Sequence, residues 1–289
     1  MAKILIVGCG SIGYGLAVTL ANAGHDVTGL KRNIPNITDV PFKYIRADIT
    51  SIDDLSLLDS DFEHIYFIVS ARSRDEKSYS DIYQTGIDNL IDRFSQNGCK
   101  APWVFVSSTS VYGQNQGEWI DEDSPTLPEN AVSLKILQAE QKLKALKSDN
   151  IAIRFSGIYG PGREHLLRLA KQQPEIQKEP PYYTNRIHQQ DCIGVLAYLL
   201  ECRLEGISLQ QCYLASDNDP APLWDVISWI ANKMRCAPPV AKVVAHDVGM
   251  NKRCRNNNLK QLGYQFVYND YKAGYGEIIT TQTELNSQQ

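Results

Sequence analysis

Two short stretches hold the residues whose types and spacing could do chemistry. Residues 103 to 114 read WVFVSSTSVYGQ. The apolar run from Trp103 to Val106 stops in four hydroxyls, Ser107, Ser108, Thr109 and Ser110, with Tyr112 and Gly113 close behind. A buried strand ending this way forms the rim of a site, because ligands of open α/β sheets meet the carboxyl ends of strands. Residues 7 to 15 read VGCGSIGYG. Gly8, Gly10 and Gly13 follow a G-x-G-x-x-G spacing between a strand signal at 3 to 7 and a helical pattern at 12 to 23 that stops at Gly24. Gly8 then permits a tight turn, Gly10 lets a pyrophosphate approach the backbone, and Gly13 lets helix and strand pack closely. The helix start adds N–H groups and positive potential for the phosphates, with Ser11 and Ile12 completing the loop.

The second strand discriminates between dinucleotides. A carboxylate about 20 residues after the loop would favour NAD through the ribose 2′-OH. Here that strand ends in Leu30-Lys31-Arg32 with no acid at its tip. A basic pair suits a 2′-phosphate, so NADP(H) is expected over NAD(H); solvated surface charges are the alternative. Asp48 ends a third strand, either as an acceptor for the adenine amino group or as a neighbour of a helix cap. Ser70 and Ala71, after the fourth strand, complete the expected cofactor set. Cys9 is either a redox sensor or a small buried filler.

These residues need a scaffold. Strand signals at 26 to 30, 43 to 47, 65 to 69, 103 to 107 and 151 to 155 alternate with helical patterns at about 51 to 59, 76 to 96 and 131 to 147. Short, continuous apolar strands alternating with helices predict a doubly wound parallel α/β sheet of the Rossmann type. A dinucleotide-binding domain is expected over 1 to 155, with 186 to 216 returning to the sheet. The turn-rich stretch 156 to 185 and residues 217 to 289 are read as a smaller substrate lobe.

Four motifs in order carry a family resemblance: the glycine loop, SSTSVYG, RFSGIYGPGR at 154 to 163 and NRIHQQD at 185 to 191. Together they resemble the extended short-chain dehydrogenase/reductase superfamily, and within it the NAD-dependent epimerase/dehydratase branch with its nucleotide-sugar epimerases. The resemblance implies a hydride shuttle between a sugar carbon and the nicotinamide. It implies a tyrosine base, a lysine four residues later that lowers its pKa and binds the ribose, and a Ser or Thr on the preceding strand end. It also implies a homodimer through the helices at 76 to 96 and 131 to 147.

The serine carries over as Ser108, a hydrogen-bond donor rather than a base. The tyrosine does not carry over. The helix reads NAVSLKILQAEQ at 130 to 141. With Lys135 as the lysine, the tyrosine position is Ala131. With Glu140 matched to the glutamate four residues after the lysine, those positions become Val132 and Ile136. Tyr112 is a candidate replacement acid–base group, and Lys135 a candidate ribose contact. His188 and Asp191 are read as structural; Arg154 and Arg163 are candidate phosphate partners. Tyr182 and Tyr183 line a substrate pocket or pack in the core.

Bulk properties remove other classes. The chain has 289 residues, 43% apolar and 21% charged, with a net charge of −4. No basic excess attracts nucleic acid, and no apolar run is long enough to span a bilayer. Seven scattered cysteines without a C-x-x-C or Cys/His cluster argue for reduced thiols in the cytoplasm and against a metal site. Three readings remain: an enzyme with a relocated base, an enzyme needing no phenolate, or a sensor or scaffold that binds NADP(H) without turnover.

Overall fold

The computed structural model describes residues 1–35, 39–244 and 249–287. Seven strands form one parallel sheet: β1 (Lys3–Val7), β2 (Asp26–Lys31), β3 (Lys43–Arg46), β4 (His64–Phe67), β5 (Trp103–Ser108), β6 (Ile151–Phe155) and β7 (Cys212–Ala215). Their order across the sheet is β7-β6-β5-β4-β1-β2-β3. β1 is central, pairing Ile4 with Val27 on one side and with His64 on the other. The order reverses between β1 and β4, which places a ligand crevice outside their carboxyl ends. Ile4, Leu5, Ile6 and Val7 have no exposed surface, as a strand covered on both faces requires. The doubly wound Rossmann-type sheet expected from the alternating pattern is therefore present.

Helices α1 (Ser11–Asn22), α2 (Ile52–Ser56), α3 (Glu76–Ser80), α4 (Ile87–Gln96) and α5 (Ala131–Leu146) accompany these strands. The pattern at 76 to 96 predicts one helix, and the structure breaks it. Residues Asp81–Gly86 form a π-helical turn between α3 and α4. Tyr83 sits in that turn, with its ring 6.3 Å from Phe67 and 6.1 Å from Phe105 and its hydroxyl donating to the Val69 carbonyl at 3.0 Å. Gly86 closes the turn against Ile49, whose side chain lies 2.5 Å from where a Cβ would stand.

The chain divides into two compact units. Met1–Val111, Thr126–Arg154 and Ile193–Tyr213 make up the first; Tyr112–Pro125, Phe155–Cys192 and Leu214–Gln289 make up the second. The second unit packs its core from Tyr159, Leu167, Ile176, Val226, Ile230 and Tyr275, among others. Asp191 is fully buried there and ties down the chain at 264 to 268. Its Oδ1 accepts from the Val267 N–H at 2.7 Å and the Tyr264 hydroxyl at 3.1 Å, and its Oδ2 from the Tyr268 N–H at 3.0 Å. Burial raises the Asp191 pKa against those three bonds. The His188 ring lies edge-on to Tyr159 at 5.2 Å and tilted against Tyr268 at 3.9 Å, and burial lowers its pKa. Both residues hold structure, as their motif suggests. No helix among the described residues is long and apolar enough to cross a membrane.

Candidate functional site: a dinucleotide cleft

The glycine loop leaves β1 and turns into α1. The N–H groups of Gly8 and Cys9 both donate to the Leu30 carbonyl, at 3.1 and 3.2 Å, which pins the loop to β2. Gly8 has φ +95°, and a Cβ there would lie 2.7 Å from the Ile68 carbonyl carbon. A Cβ on Gly13 would lie 2.3 Å from the Gly8 oxygen. Gly10 differs: nothing lies within 4 Å of its Cβ position. Two glycines are thus required by packing, and the third faces open space. α1 has no side-chain cap and no acidic residue in its first turn, so no carboxylate competes with an anion at its positive end. These features fit a dinucleotide pyrophosphate.

Beside the loop lies a cleft of about 210 Å³. Its walls come from the carboxyl ends of β1, β2, β3 and β4. Lys31, Arg32 and Arg72 supply three cations and Asp48 the one carboxylate, while Ala47, Ile49, Ile68 and Ile82 supply apolar surface. Arg32 lies 3.7 Å from Asp48. Asp48 Oδ1 also accepts from the Thr50 N–H at 2.9 Å and the Thr50 hydroxyl at 2.8 Å. Partial burial opposes its ionisation, but the Thr50 bonds and Arg32 outweigh it and hold the Asp48 carboxyl below its usual value. Asp48 is thus an ionised wall residue engaged with its own loop. Its Oδ2 faces Arg32.

Of the residues singled out in the sequence, Gly8, Cys9, Gly10, Lys31, Arg32, Asp48 and Ser70 line this cleft. Ser11, Ile12, Gly13 and Ala71 are not among its lining residues: Ile12 and Gly13 are buried beneath the loop. Arg72, Asn33 and Ile82 line it without having been singled out. Arg72 had one signal, a cation two residues beyond Ser70. Ile82 had none, because it arrives from the π turn. Cys9 is fully buried, packs against Gly29 and has its thiol pushed up by burial, which suits a filler rather than a reactive thiolate.

The strand-end hydroxyls divide by alternation along β5. Ser107 points inward and donates to Glu140 Oε2 at 2.8 Å. Glu140 is 1% exposed and is engaged by Arg154 from β6, through Nε to Oε2 at 3.1 Å and through Nη2 to Oε1. Arg154, a candidate phosphate partner by sequence, is 4% exposed and committed to this ion pair. Ser108 is half-buried at the strand tip, and its Oγ accepts the Ser110 N–H at 3.1 Å. Glu140, Ile136 and Val132 follow one another at four-residue steps, so they share a face of α5. Lys135 lies off that face, with Nζ 3.2 Å from Gln84 Oε1 and 3.9 Å from Glu76.

In the second unit Tyr112 is 2% exposed, and its hydroxyl donates to the Asp121 carbonyl at 2.7 Å. That bond anchors the segment that follows it. Arg163 is exposed in a turn where its N–H donates to the Gly160 carbonyl at 2.9 Å. Tyr182 reaches the Gly249 carbonyl at 3.4 Å, and Tyr183 lies against Arg253. No group of three or more metal-ligating side chains occurs among the described residues.

A glycine loop feeding a cation-lined cleft at the switch point of a parallel sheet defines a dinucleotide-binding protein of the short-chain dehydrogenase/reductase type. The chain belongs to the NAD-dependent epimerase/dehydratase family, whose model matches residues 4–201. It is 28% identical over 214 residues to Protein YeeZ of Escherichia coli (strain K12), covering 71% of this chain and 76% of YeeZ. A structure from Methylobacillus flagellatus, provisionally described as an NAD-dependent epimerase/dehydratase, is 34% identical with a TM-score of 0.83 over 98% of this chain and 99% of that one. The fold is shared with MoeE5, solved with UDP-glucose and NAD, at 21% identity and a TM-score of 0.77 over 98% and 99% of the two chains.

Proposed function

We propose that this protein binds NADP(H) in the cleft of its first unit and uses it in an oxidoreductase, epimerase or dehydratase reaction on a nucleotide-sugar-type substrate. The observation that carries the cofactor choice is the charge of the cleft: Lys31, Arg32 and Arg72 against Asp48. A 2′-phosphate adds negative charge where cations are in excess, and guanidinium groups bind it with charge-assisted hydrogen bonds. The open space at Gly10 takes the pyrophosphate. When bound, the nicotinamide supplies a hydride acceptor or donor. The substrate class follows from the family and from relatives such as MoeE5, which binds UDP-glucose.

Within this reading Ser108 holds the reacting oxygen. Its Oγ accepts from Ser110, which leaves the hydroxyl proton for donation. Tyr112 is a poor acid–base group, because its proton is engaged by Asp121 and its ring is buried. Matching Glu140 to the family glutamate puts Ile136 and Val132 where the lysine and tyrosine would stand. The proton acceptor is then not a phenolate of α5, and the chemistry is altered or slowed accordingly.

That same helix favours a second reading, in which the protein binds NADP(H) as a sensor or scaffold without turnover. Assays with NADP+ and NADPH across UDP- and dTDP-sugars separate the two. Turnover abolished by Ser108→Ala supports the enzyme; cofactor binding without turnover on any sugar supports the sensor. A homodimer through the α4 and α5 faces also belongs to this proposal. Leu134 on α5 is 42% exposed, and a monomer by light scattering at micromolar concentration would remove the dimer.

A further inference from the structure

With no phenol on α5, a proton must be exchanged by another group at the carboxyl edge of the sheet. In the NADP(H) reading, Lys31 and Arg32 at the end of β2 take the 2′-phosphate, on one side of β1. A dinucleotide whose pyrophosphate crosses Gly10 then carries its reacting end to the other side, toward β4 and β5. Ser108 ends β5 there. The helical segment that leads from the carboxyl end of β4 back to the amino end of β5 brings Glu76, Tyr79 and Tyr83, and Lys135 meets it from α5.

Three of these groups are committed. The Tyr83 hydroxyl is given to the Val69 carbonyl, and burial pushes that phenol well up. Glu76 lies 3.9 Å from Lys135, whose Nζ also donates to Gln84 Oε1 at 3.2 Å. Tyr79 differs: it is half-buried, and among the described residues no hydrogen bond holds its hydroxyl. Its ring lies 5.4 Å from that of Tyr83, tilted by 31°. Lys135 ties α5 to this segment on either side of Tyr79, at Glu76 and at Gln84.

The level of Tyr79 follows from the stack of rings. Tyr83 rests 6.1 Å from Phe105, three residues before Ser108, and β5 climbs about 10 Å over those three residues. Tyr79 precedes Tyr83 by about one helical turn, roughly 5 Å, in a segment that descends from the same edge. Phe105, Tyr83 and Tyr79 therefore climb together toward the Ser108 end of the strand. We propose that Tyr79 is the catalytic proton donor and acceptor, exchanging its hydroxyl proton with the substrate oxygen that Ser108 holds. Tyr79 gives the proton to that oxygen as a carbonyl is reduced to an alcohol, and takes it back as the alcohol is oxidised. The hydride, with its electron pair, is exchanged with NADP(H). This assignment rests on the NADP(H) reading and names the group that reading lacks.

Tetranitromethane, which nitrates accessible phenols, tests it on the full-length protein with and without saturating NADP+, the nitrated peptides being read by mass spectrometry. Tyr79 should nitrate in the free protein and severalfold more slowly with NADP+ bound, while the buried Tyr83 reacts little in either state. Tyr79→Phe keeps the ring on Tyr83 and removes only the hydroxyl. It should keep the thermal shift given by NADP+ and lower kcat about a hundredfold or more on any UDP- or dTDP-sugar that is turned over. Where none is turned over, the nitration result decides. NADP+ binding with undiminished nitration of Tyr79, or a Tyr79→Phe protein of full activity, overturns this proposal alone. No thermal shift with NADP+ overturns the cofactor reading, and this assignment falls with it.

Discussion

Gly10→Ala and Gly8→Ala should fail in different ways, and the difference tests the cleft. Gly10 has φ −82° and ψ −156°, a conformation open to any residue, and a Cβ there meets nothing within 4 Å. The fold should lose about 1 kcal/mol or less, the cost of alanine at a helix cap. The new methyl group would stand where a pyrophosphate approaches the backbone. Gly8 has φ +95° and a Cβ position 2.7 Å from backbone atoms of Ile68. A left-handed backbone costs roughly 1–2 kcal/mol and forced overpacking roughly 1–3 kcal/mol, so this substitution should cost about 2–5 kcal/mol. Midpoints move roughly 2–4 °C per kcal/mol in chains approaching this size. The measurement is thermal unfolding with and without NADPH at about 100 times its Kd, where binding adds ~2.7 kcal/mol, or roughly 5–10 °C. Gly10→Ala should unfold within a few degrees of the unsubstituted protein and lose the ligand shift; Gly8→Ala should unfold early with or without ligand. A Gly10→Ala protein that keeps the whole shift would refute the loop as a pyrophosphate cradle.

Arg32→Gln should weaken NADP+ about tenfold or more, the loss of a hydrogen bond to a charged group, and change NAD+ far less; equal losses by calorimetry would reject the 2′-phosphate assignment. Glu140→Ala should cost about 3–5 kcal/mol in urea unfolding, because it removes the buried carboxylate that pairs with the Arg154 guanidinium; a loss under about 1 kcal/mol would contradict the pairing. Asp217 is pushed up to about 8 by burial, with Arg186 nearby opposing the shift, against about 3.9 in an unfolded chain. The folded state therefore binds that proton more tightly. Its stabilising contribution is full at acid pH and is lost as the pH rises through about 8. Asp217→Asn should flatten the fall in stability between roughly pH 4 and 8; parallel pH profiles for the two proteins would rule this out.

Elements set by local pattern were readable in advance. β1 falls at the residues its apolar run marks, and α5 ends one residue short of the expected 147. The packing demands of the glycine loop were readable too, because Gly8 and Gly13 each stand where a Cβ would meet backbone, while Gly10 leaves open space. Ser107 could have been assigned inward by counting alternate residues along β5. What periodicity does not carry is the partner across the fold. Arg154 reads as a free cation until Glu140, 14 residues earlier in the chain, is seen beside it. Arg72 and Ile82 enter the cleft only because β4 and the π turn are brought to the edge of β1. Tyr183 and Arg253, in contact in the fold, are about 70 residues apart in the chain and share no pattern that one segment could display.

The π turn has a consequence for phase. A π turn amounts to one residue inserted into an α-helix, and each residue of an α-helix turns the chain by about 100°. α3 before the turn buries none of its residues, the turn itself buries Ile82 and Tyr83, and α4 after it buries Ile87, Leu90 and Phe94. Two neighbouring side chains thus serve two tasks: Ile82 lines the cleft and the Tyr83 hydroxyl holds the Val69 carbonyl. Deleting one residue between Asp81 and Gly86 would turn α3 by about 100° relative to α4 and withdraw one of the pair. A sequence comparison that closes this position as a gap would lose that division of labour.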